Sequence, residues 1–157
     1  MLFRSPIAAP AQRLAQLGRL KERGLVSVLT IRPFLPVVPP AEYISIINSA
    51  HGAMDAVLGS VWYTDKEGVI RRQVLGHHEE ETLPISFIPA VMDFDKNDDV
   101  WLVYEGRSIE DAVRQLCDEK GVPFFMRSRG LIEWARVRAC GHLRVDHNQG
   151  APRPLNS

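Results

Sequence analysis

Four consecutive residues, Glu105-Gly106-Arg107-Ser108, combine groups that can bind a phosphate and act on it. They follow the apolar run at 100–104 and precede an amphipathic segment, which is the order of a strand, a glycine turn and a helix. The first turn of such a helix presents unpaired N–H groups that bind anions. Gly106 lets a ligand approach the backbone, Arg107 can donate two parallel hydrogen bonds, and Ser108 adds a hydroxyl. We therefore predict a cofactor site at Gly106, Arg107 and Ser108, with Glu105 and Arg107 as candidate catalytic residues.

The same residues also have a purely structural interpretation. Ser108, followed by Glu110 and Asp111, matches the pattern of a helix cap. Acidic side chains in a first turn stabilise the positive end of the helix dipole without any bound anion. Both interpretations are open at the level of the sequence.

A second candidate for proton transfer is the run His77-His78-Glu79. Imidazoles beside a carboxylate can exchange protons near neutral pH or bind a divalent metal. Adjacent residues of a strand face opposite ways, so only a loop brings both histidines to one site. We take His78 as a candidate catalytic residue, with an exposed polar connector as the alternative.

Acidic residues at alternate positions, Asp93 and Asp95, resemble the first ligands of a calcium loop. Asp98 stands where such a loop needs glycine, so a full calcium loop is not expected. A solvated turn is the structural interpretation. The functional interpretation is that Asp93 and Asp95 help to hold Mg²⁺ beside a phosphodiester.

Arginines near the end of the chain interleave with aromatic residues, a mixture that can follow nucleic acid by charge and stacking. We expect Trp134 to be buried in the core and the arginines to make the contacts. The predicted nucleic-acid-binding residues are Arg127, Arg129, Arg136 and Arg138.

Charge is unevenly distributed although the net charge is zero. Residues 1–32 hold six basic residues against one acid, and residues 127–157 hold six arginines against two acids. Between them, residues 79–119 hold twelve acids against three basic residues. If the two basic ends lie together in space, they form a patch that can hold a phosphate backbone. The alternative is that the basic ends pair with the chain's own acids.

The secondary-structure pattern alternates helices with strands. Helices are predicted at 9–23, 41–58 and 130–139, and a further helix runs from Ser108 to the glycine at 121. Gly52 leaves open an interruption of the helix at 41–58. Strands are predicted at 25–31, 82–91, 100–104 and 122–126, with a hairpin formed by 61–64 and 69–75. The unit at 100–126 suggests two parallel strands joined by a right-handed crossover. The predicted class is α+β, with a mixed sheet of five to six strands and flanking helices.

The length and composition indicate one globular domain at 1–147, followed by a disordered tail at 148–157. Neither a membrane-spanning run nor a secretory leader is evident, so a cytoplasmic location is expected. Cys117 and Cys140 lack metal or redox spacing and are expected to be core thiols.

One segment resembles the core of the ParB/sulfiredoxin superfamily. The resemblance rests on Leu83-Pro-Ile-Ser-Phe, on Val100-Trp-Leu-Val-Tyr-Glu-Gly106, on Ala112, and on Val122-Pro-Phe-Phe. The family has a basic residue three or four positions after the glycine. Here those positions hold Ile109 and Glu110, so Arg107 would be the basic residue that binds the phosphate.

This resemblance implies a DNA-engaging accessory protein that binds ATP with Mg²⁺ and acts as an ATPase or nuclease. Some plasmid-borne members of the family act in fertility inhibition, so a role in plasmid conflict is implied as well. The competing hypothesis is a non-enzymatic regulator that binds a protein partner through its charge-polarised surface.

Overall fold

The computed structural model describes residues 9–76, 85–91 and 100–146. The helices in this part of the chain are α1 (Pro10–Glu22), α2 (Pro40–Ala50), α3 (Val69–Leu75), α4 (Ser108–Glu119) and α5 (Ser128–Asp146). The strands are β1 (Val28–Ile31), β2 (Ala56–Gly59), β3 (Tyr63–Thr64), β4 (Phe87–Val91), β5 (Val100–Tyr104) and β6 (Phe124–Phe125). The α+β class is therefore confirmed. Candidate residues His78, Asp93 and Asp95, and the predicted tail at 148–157, lie outside the described residues.

Two small sheets replace the single mixed sheet of five to six strands that the sequence predicts. Among the described residues, β1, β2 and β6 form a parallel sheet in the order β1-β2-β6. The second sheet is antiparallel, in the order β3-β5-β4. The predicted parallel crossover from β5 to β6 is wrong, because these strands belong to different sheets. β5 pairs instead with β4, the strand directly before it in the chain, as successive strands commonly do.

Residues 69–75 form the helix α3 and not the second strand of a hairpin. Its first amides are held by two side chains that come just before it. The Asp65 carboxylate accepts hydrogen bonds from the N–H groups of Val69 and Ile70, both at 2.8 Å, and the Thr64 hydroxyl accepts one from Arg71 at 3.0 Å. Side chains of this type at a helix start satisfy amides that have no partner within the helix. Local capping thus overrides the strand propensity of the apolar residues.

The segment predicted as a helix over 41–58, with an interruption near Gly52 left open, contains a helix and a strand. α2 ends at Ala50, Gly52 has a positive φ of 84°, and the strand β2 follows from Ala56. All four residues of β2 are buried, and the strand lies between β1 and β6. A central strand buried on both faces is continuously apolar, so hydrophobic periodicity does not distinguish it from a buried helix.

The parallel sheet lies between two layers of helix. On one face, α2 and α4 pack with the strands around a core cluster that includes Ile47, Val57 and Val113, each 0% exposed. Phe124 packs against this cluster, whereas the next residue, Phe125, contacts Trp134 of α5 at a ring distance of 5.7 Å. Since neighbouring strand residues face opposite sides, α5 packs on the other face, against β6.

Two predictions about core side chains are met to different degrees. Cys117 is fully buried, as expected for a core thiol. Trp134, which lies on α5, is only partly buried, and this helix extends well beyond its predicted range of 130–139. Among the described residues, no helix is both long and apolar enough to span a lipid bilayer.

Candidate functional site

The bend after β5 is hydrogen-bonded to the segment that precedes β4. The Glu105 N–H donates to the Ser86 carbonyl at 3.0 Å, and the Ser86 hydroxyl donates a short hydrogen bond to the Glu105 carboxylate. Glu105 itself is exposed. The candidate catalytic carboxylate is thus held by a neighbouring strand end and remains open to solvent.

Gly106 is required by a contact within the chain. A Cβ atom built on Gly106 would lie 2.0 Å from the Tyr104 Oη and 2.1 Å from its Cζ. The tyrosine ring therefore occupies the space that the missing side chain leaves. A phosphate that needed this space would have to displace the ring, so the close approach predicted for Gly106 is not available in this conformation.

The start of α4 differs from its predicted cap. Arg107 and not Ser108 is the N-cap residue, and the Arg107 side chain makes no capping hydrogen bond. The two acids of the first turn, Glu110 and Asp111, lie beside the helix start as the structural interpretation expects. Gly106, Arg107 and Ser108 are exposed, so the bend opens to solvent. The start of α4 is thus exposed to solvent, and the Tyr104 ring fills the space beside Gly106.

Within residues 9–76, 85–91 and 100–146, no group of three or more His, Cys, Asp or Glu side chains is arranged to hold a metal ion. The metal candidates Asp93 and Asp95 and the catalytic candidate His78 stay predictions.

The two basic segments of the chain meet at the carboxyl ends of the parallel strands. Arg32 directly follows β1, and its Nη1 donates to the hydroxyl of Ser128 at 3.2 Å. Ser128 begins α5 just after β6 and is flanked in sequence by Arg127 and Arg129. All four residues are exposed, and the first turn of α5 contains no acid. Open sheets with parallel strands bind their ligands at this edge.

A second contact joins the same two segments at the amino ends of the strands. Asp55 comes just before β2, and its Oδ1 lies 3.1 Å from Arg138 Nη2 and 3.6 Å from Lys21 Nζ. Its Oδ2 accepts a hydrogen bond from the Ser27 N–H at 3.0 Å. The carboxylate side chain is only 7% exposed. Asp55 therefore ties α1 and α5 to the starts of β1 and β2.

The four predicted nucleic-acid-binding arginines divide into two groups. All four are exposed, but Arg127, Arg129 and Arg136 lie on the outer surface, where Arg129 pairs with Glu133 at 3.1 Å. Arg138 instead contacts Asp55, and its guanidinium lies 5.4 Å from the centre of the Trp134 ring. Three arginines are thus available to a ligand, and the fourth helps to attach the helix.

Arg32 is a site residue that the sequence did not single out. Its signal is its position: Arg32 directly follows β1, and Arg127 comes two residues after β6 of the same parallel sheet. This position indicates a shared site only once β1 and β6 are known to be parallel strands of one sheet. We call Arg32, Arg127, Arg129 and Arg136 the basic edge.

The basic edge has the chemistry of an anion site. Guanidinium groups donate parallel hydrogen bonds to phosphate oxygens and keep their charge at all physiological pH values. At a rise of 1.5 Å per helical residue, the eight steps from Ser128 to Arg136 span about 12 Å. Phosphates along one DNA strand advance about 3.4 Å each, so this length matches about three to four of them.

Comparison of the chain with protein families, curated proteins and solved structures returned no match.

Proposed function

We propose that the chain is a DNA-binding domain that holds the phosphate backbone with its basic edge. The single observation that carries the proposal is the hydrogen bond from Arg32 to Ser128. It brings a cation from the first basic segment against the arginines of the last one. The two basic segments can form one surface only if they lie in contact, and this hydrogen bond is such a contact.

The basic edge favours phosphate contact over base reading. Arg127 and Arg129 lie at the exposed start of α5, Arg32 follows the strand β1 beside it, and Arg136 lies about two turns further along the exposed surface of α5. Each neutralised phosphate of duplex DNA releases counterions and contributes a slope of about −0.9 to the dependence of log affinity on log salt. Four contacts correspond to a slope of about −3 to −4. We expect moderate affinity with little sequence preference.

An accessory role in plasmid conflict is the biological setting that the family resemblance implies for this DNA binding. ATP binding at Gly106, Arg107 and Ser108, and cleavage with Glu105, stay predictions. The Tyr104 ring beside Gly106 argues against tight nucleotide binding there. The proposal is therefore built on the basic edge and does not require either activity.

Fluorescence anisotropy of a labelled duplex of about 30 base pairs, titrated across a salt series, tests the proposal. The variant is the double substitution Arg127→Ala with Arg129→Ala. We expect it to weaken binding about tenfold or more and to make the salt slope less negative by about 2. Arg114→Ala is the matched control, because Arg114 pairs with Glu110 on α4 as Arg129 pairs with Glu133 on α5.

Two results contradict the proposal. One is a wild-type protein that does not bind the duplex at low salt. The other is a control variant that weakens binding as much as the double variant does, since the contact would then be a general charge effect. Circular dichroism of each variant tests whether the fold is intact.

One observation favours the alternative of a protein partner. The second sheet has a face composed entirely of apolar residues, Tyr63, Ile88, Ala90, Trp101 and Val103, as the strand register shows. None of them is fully buried, and Ile88 is 46% exposed. Partly exposed apolar faces commonly contact other proteins. If DNA binding is absent, Ile88→Lys is the variant with which to test this face, because it places a charge at the most exposed of these positions.

A further inference from the structure

Glu133 is the only acidic residue between positions 120 and 145. Its Oε1 lies 3.1 Å from Arg129 Nε, and both side chains are open to solvent, with exposed fractions of 62% for Glu133 and 90% for Arg129. The pair therefore lies on the outer surface of α5, away from the sheet.

Glu133 lies on the same face of α5 as two arginines of the basic edge. With 3.6 residues per turn, residues 129, 133 and 136 lie on the same face of an α-helix. Glu133 is thus one turn after Arg129 and one turn before Arg136, inside the basic edge. Its carboxylate offers oxygen atoms to the same guanidinium that would bind a phosphate.

We propose that Glu133 is an internal competitor for the phosphate group, and that it lowers the affinity of the basic edge for DNA. This inference rests on the proposed DNA binding. In the free protein, the Glu133 carboxylate occupies Arg129. A phosphate must displace it, and the displaced carboxylate then repels the DNA backbone. The acid thereby limits how tightly the surface holds any polyanion.

The expected size of the effect follows from the exposure of the pair. Exposed ion pairs are weak, so removing the competitor should tighten binding by about two- to fivefold. Salt screens both the pair and the repulsion, because the Debye length falls from about 14 Å at 50 mM to about 7 Å at 200 mM. The gain in affinity should therefore be larger at low salt than at high salt.

Anisotropy titrations of Glu133→Gln, Arg129→Ala and the double variant against the same duplex test the inference. We expect Glu133→Gln to bind about two- to fivefold more tightly than the wild type in the unsubstituted background. In the Arg129→Ala background, the same substitution should change affinity much less, because the contested guanidinium is gone. Glu110→Gln, which removes an equal charge paired with Arg114 on α4, should leave affinity nearly unchanged.

The outcomes separate this inference from the proposed function. If the wild type binds and the double arginine variant weakens binding, but Glu133→Gln equals the wild type, the competitor role is refuted and the DNA binding stands. If Glu133→Gln and Glu110→Gln tighten binding equally, or if the gain persists in Arg129→Ala, a general charge effect replaces direct competition. If the wild type does not bind at all, both proposals fall together.

Discussion

Replacing Asp55 with alanine should destabilise the protein more than replacing any other charged side chain of the described residues. The carboxylate is 7% exposed and has three partners, Ser27, Arg138 and Lys21. Ser27 is itself 1% exposed, so its N–H would lose its acceptor in a place that water reaches poorly. An unsatisfied buried donor costs about 1–3 kcal/mol.

The two ion pairs contribute less to the free energy of unfolding, since both cations are exposed to solvent. The side chains of Lys21 and Arg138 are 40% and 43% exposed. Pairs with this exposure contribute about 0.2–1 kcal/mol each. Together with the lost hydrogen bond, Asp55→Ala should lower the free energy of unfolding by about 2–4 kcal/mol. For a chain of this size, that corresponds to a fall in Tm of about 5–15 °C.

Urea denaturation followed by circular dichroism measures the change, and two further variants divide it into parts. Asp55→Asn keeps an acceptor oxygen for the Ser27 N–H and removes only the charge, so it should cost about 0.5–2 kcal/mol. Arg138→Ala should cost about 1 kcal/mol or less. The control is Asp118→Ala, which removes an exposed acid on α4. Its free energy of unfolding should stay within about 0.5 kcal/mol of the wild-type value. An Asp55→Ala protein as stable as this control would refute the reasoning.

Three further predictions concern other parts of the fold. Burial, with the charge of Asp118 adding to it and Arg114 opposing it, raises the pKa of the Cys117 thiol to about 11. Between pH 9 and 11 the unfolded chain loses this proton first, so the unfolding free energy should fall with rising pH, and urea titrations should show a shallower fall in Cys117→Ala. Gly106→Ala should cost about 1–3 kcal/mol by the same measurement, because its Cβ would overlap the Tyr104 ring, and the cost should shrink in a Tyr104→Ala background. Burial raises the pKa of Asp65, but hydrogen bonds from Ile70, Val69 and Thr64 together outweigh it and lower that pKa. Helix α3 should therefore loosen as pH falls through the pKa of Asp65, and amide exchange of α3 should lose this acid dependence in Asp65→Asn.

Elements with strong local signals were predictable from the sequence. The helices α1 and α4 lie where amphipathic spacing and a following glycine placed them, and β5 lies where the apolar run predicted it. The pairing of strands was not predictable, because the same apolar run suits either a parallel or an antiparallel neighbour. α3 was missed because side-chain capping by Asp65 and Thr64 is hard to distinguish from a hairpin turn.

The candidate site was predictable in composition but not in assembly. Exposed arginines at 127, 129 and 136 follow from the charge pattern of the C-terminal segment. The contribution of Arg32 depends on a contact across 96 residues, which requires the order of the parallel strands. The ring beside Gly106 depends on the conformation of the Tyr104 side chain, which no spacing rule specifies.

The link from Arg32 to Ser128 also has a consequence for synthesis of the chain. An N-terminal cation completes the basic edge only after β6 and the start of α5 have left the ribosome and β6 has paired with β2. Contacts between residues so distant in sequence form late in folding, because their loop must close first. A nascent or truncated chain that stops before α5 would therefore carry the first basic segment without the second. Under the proposed function, such a chain should bind DNA more weakly than a chain that includes α5.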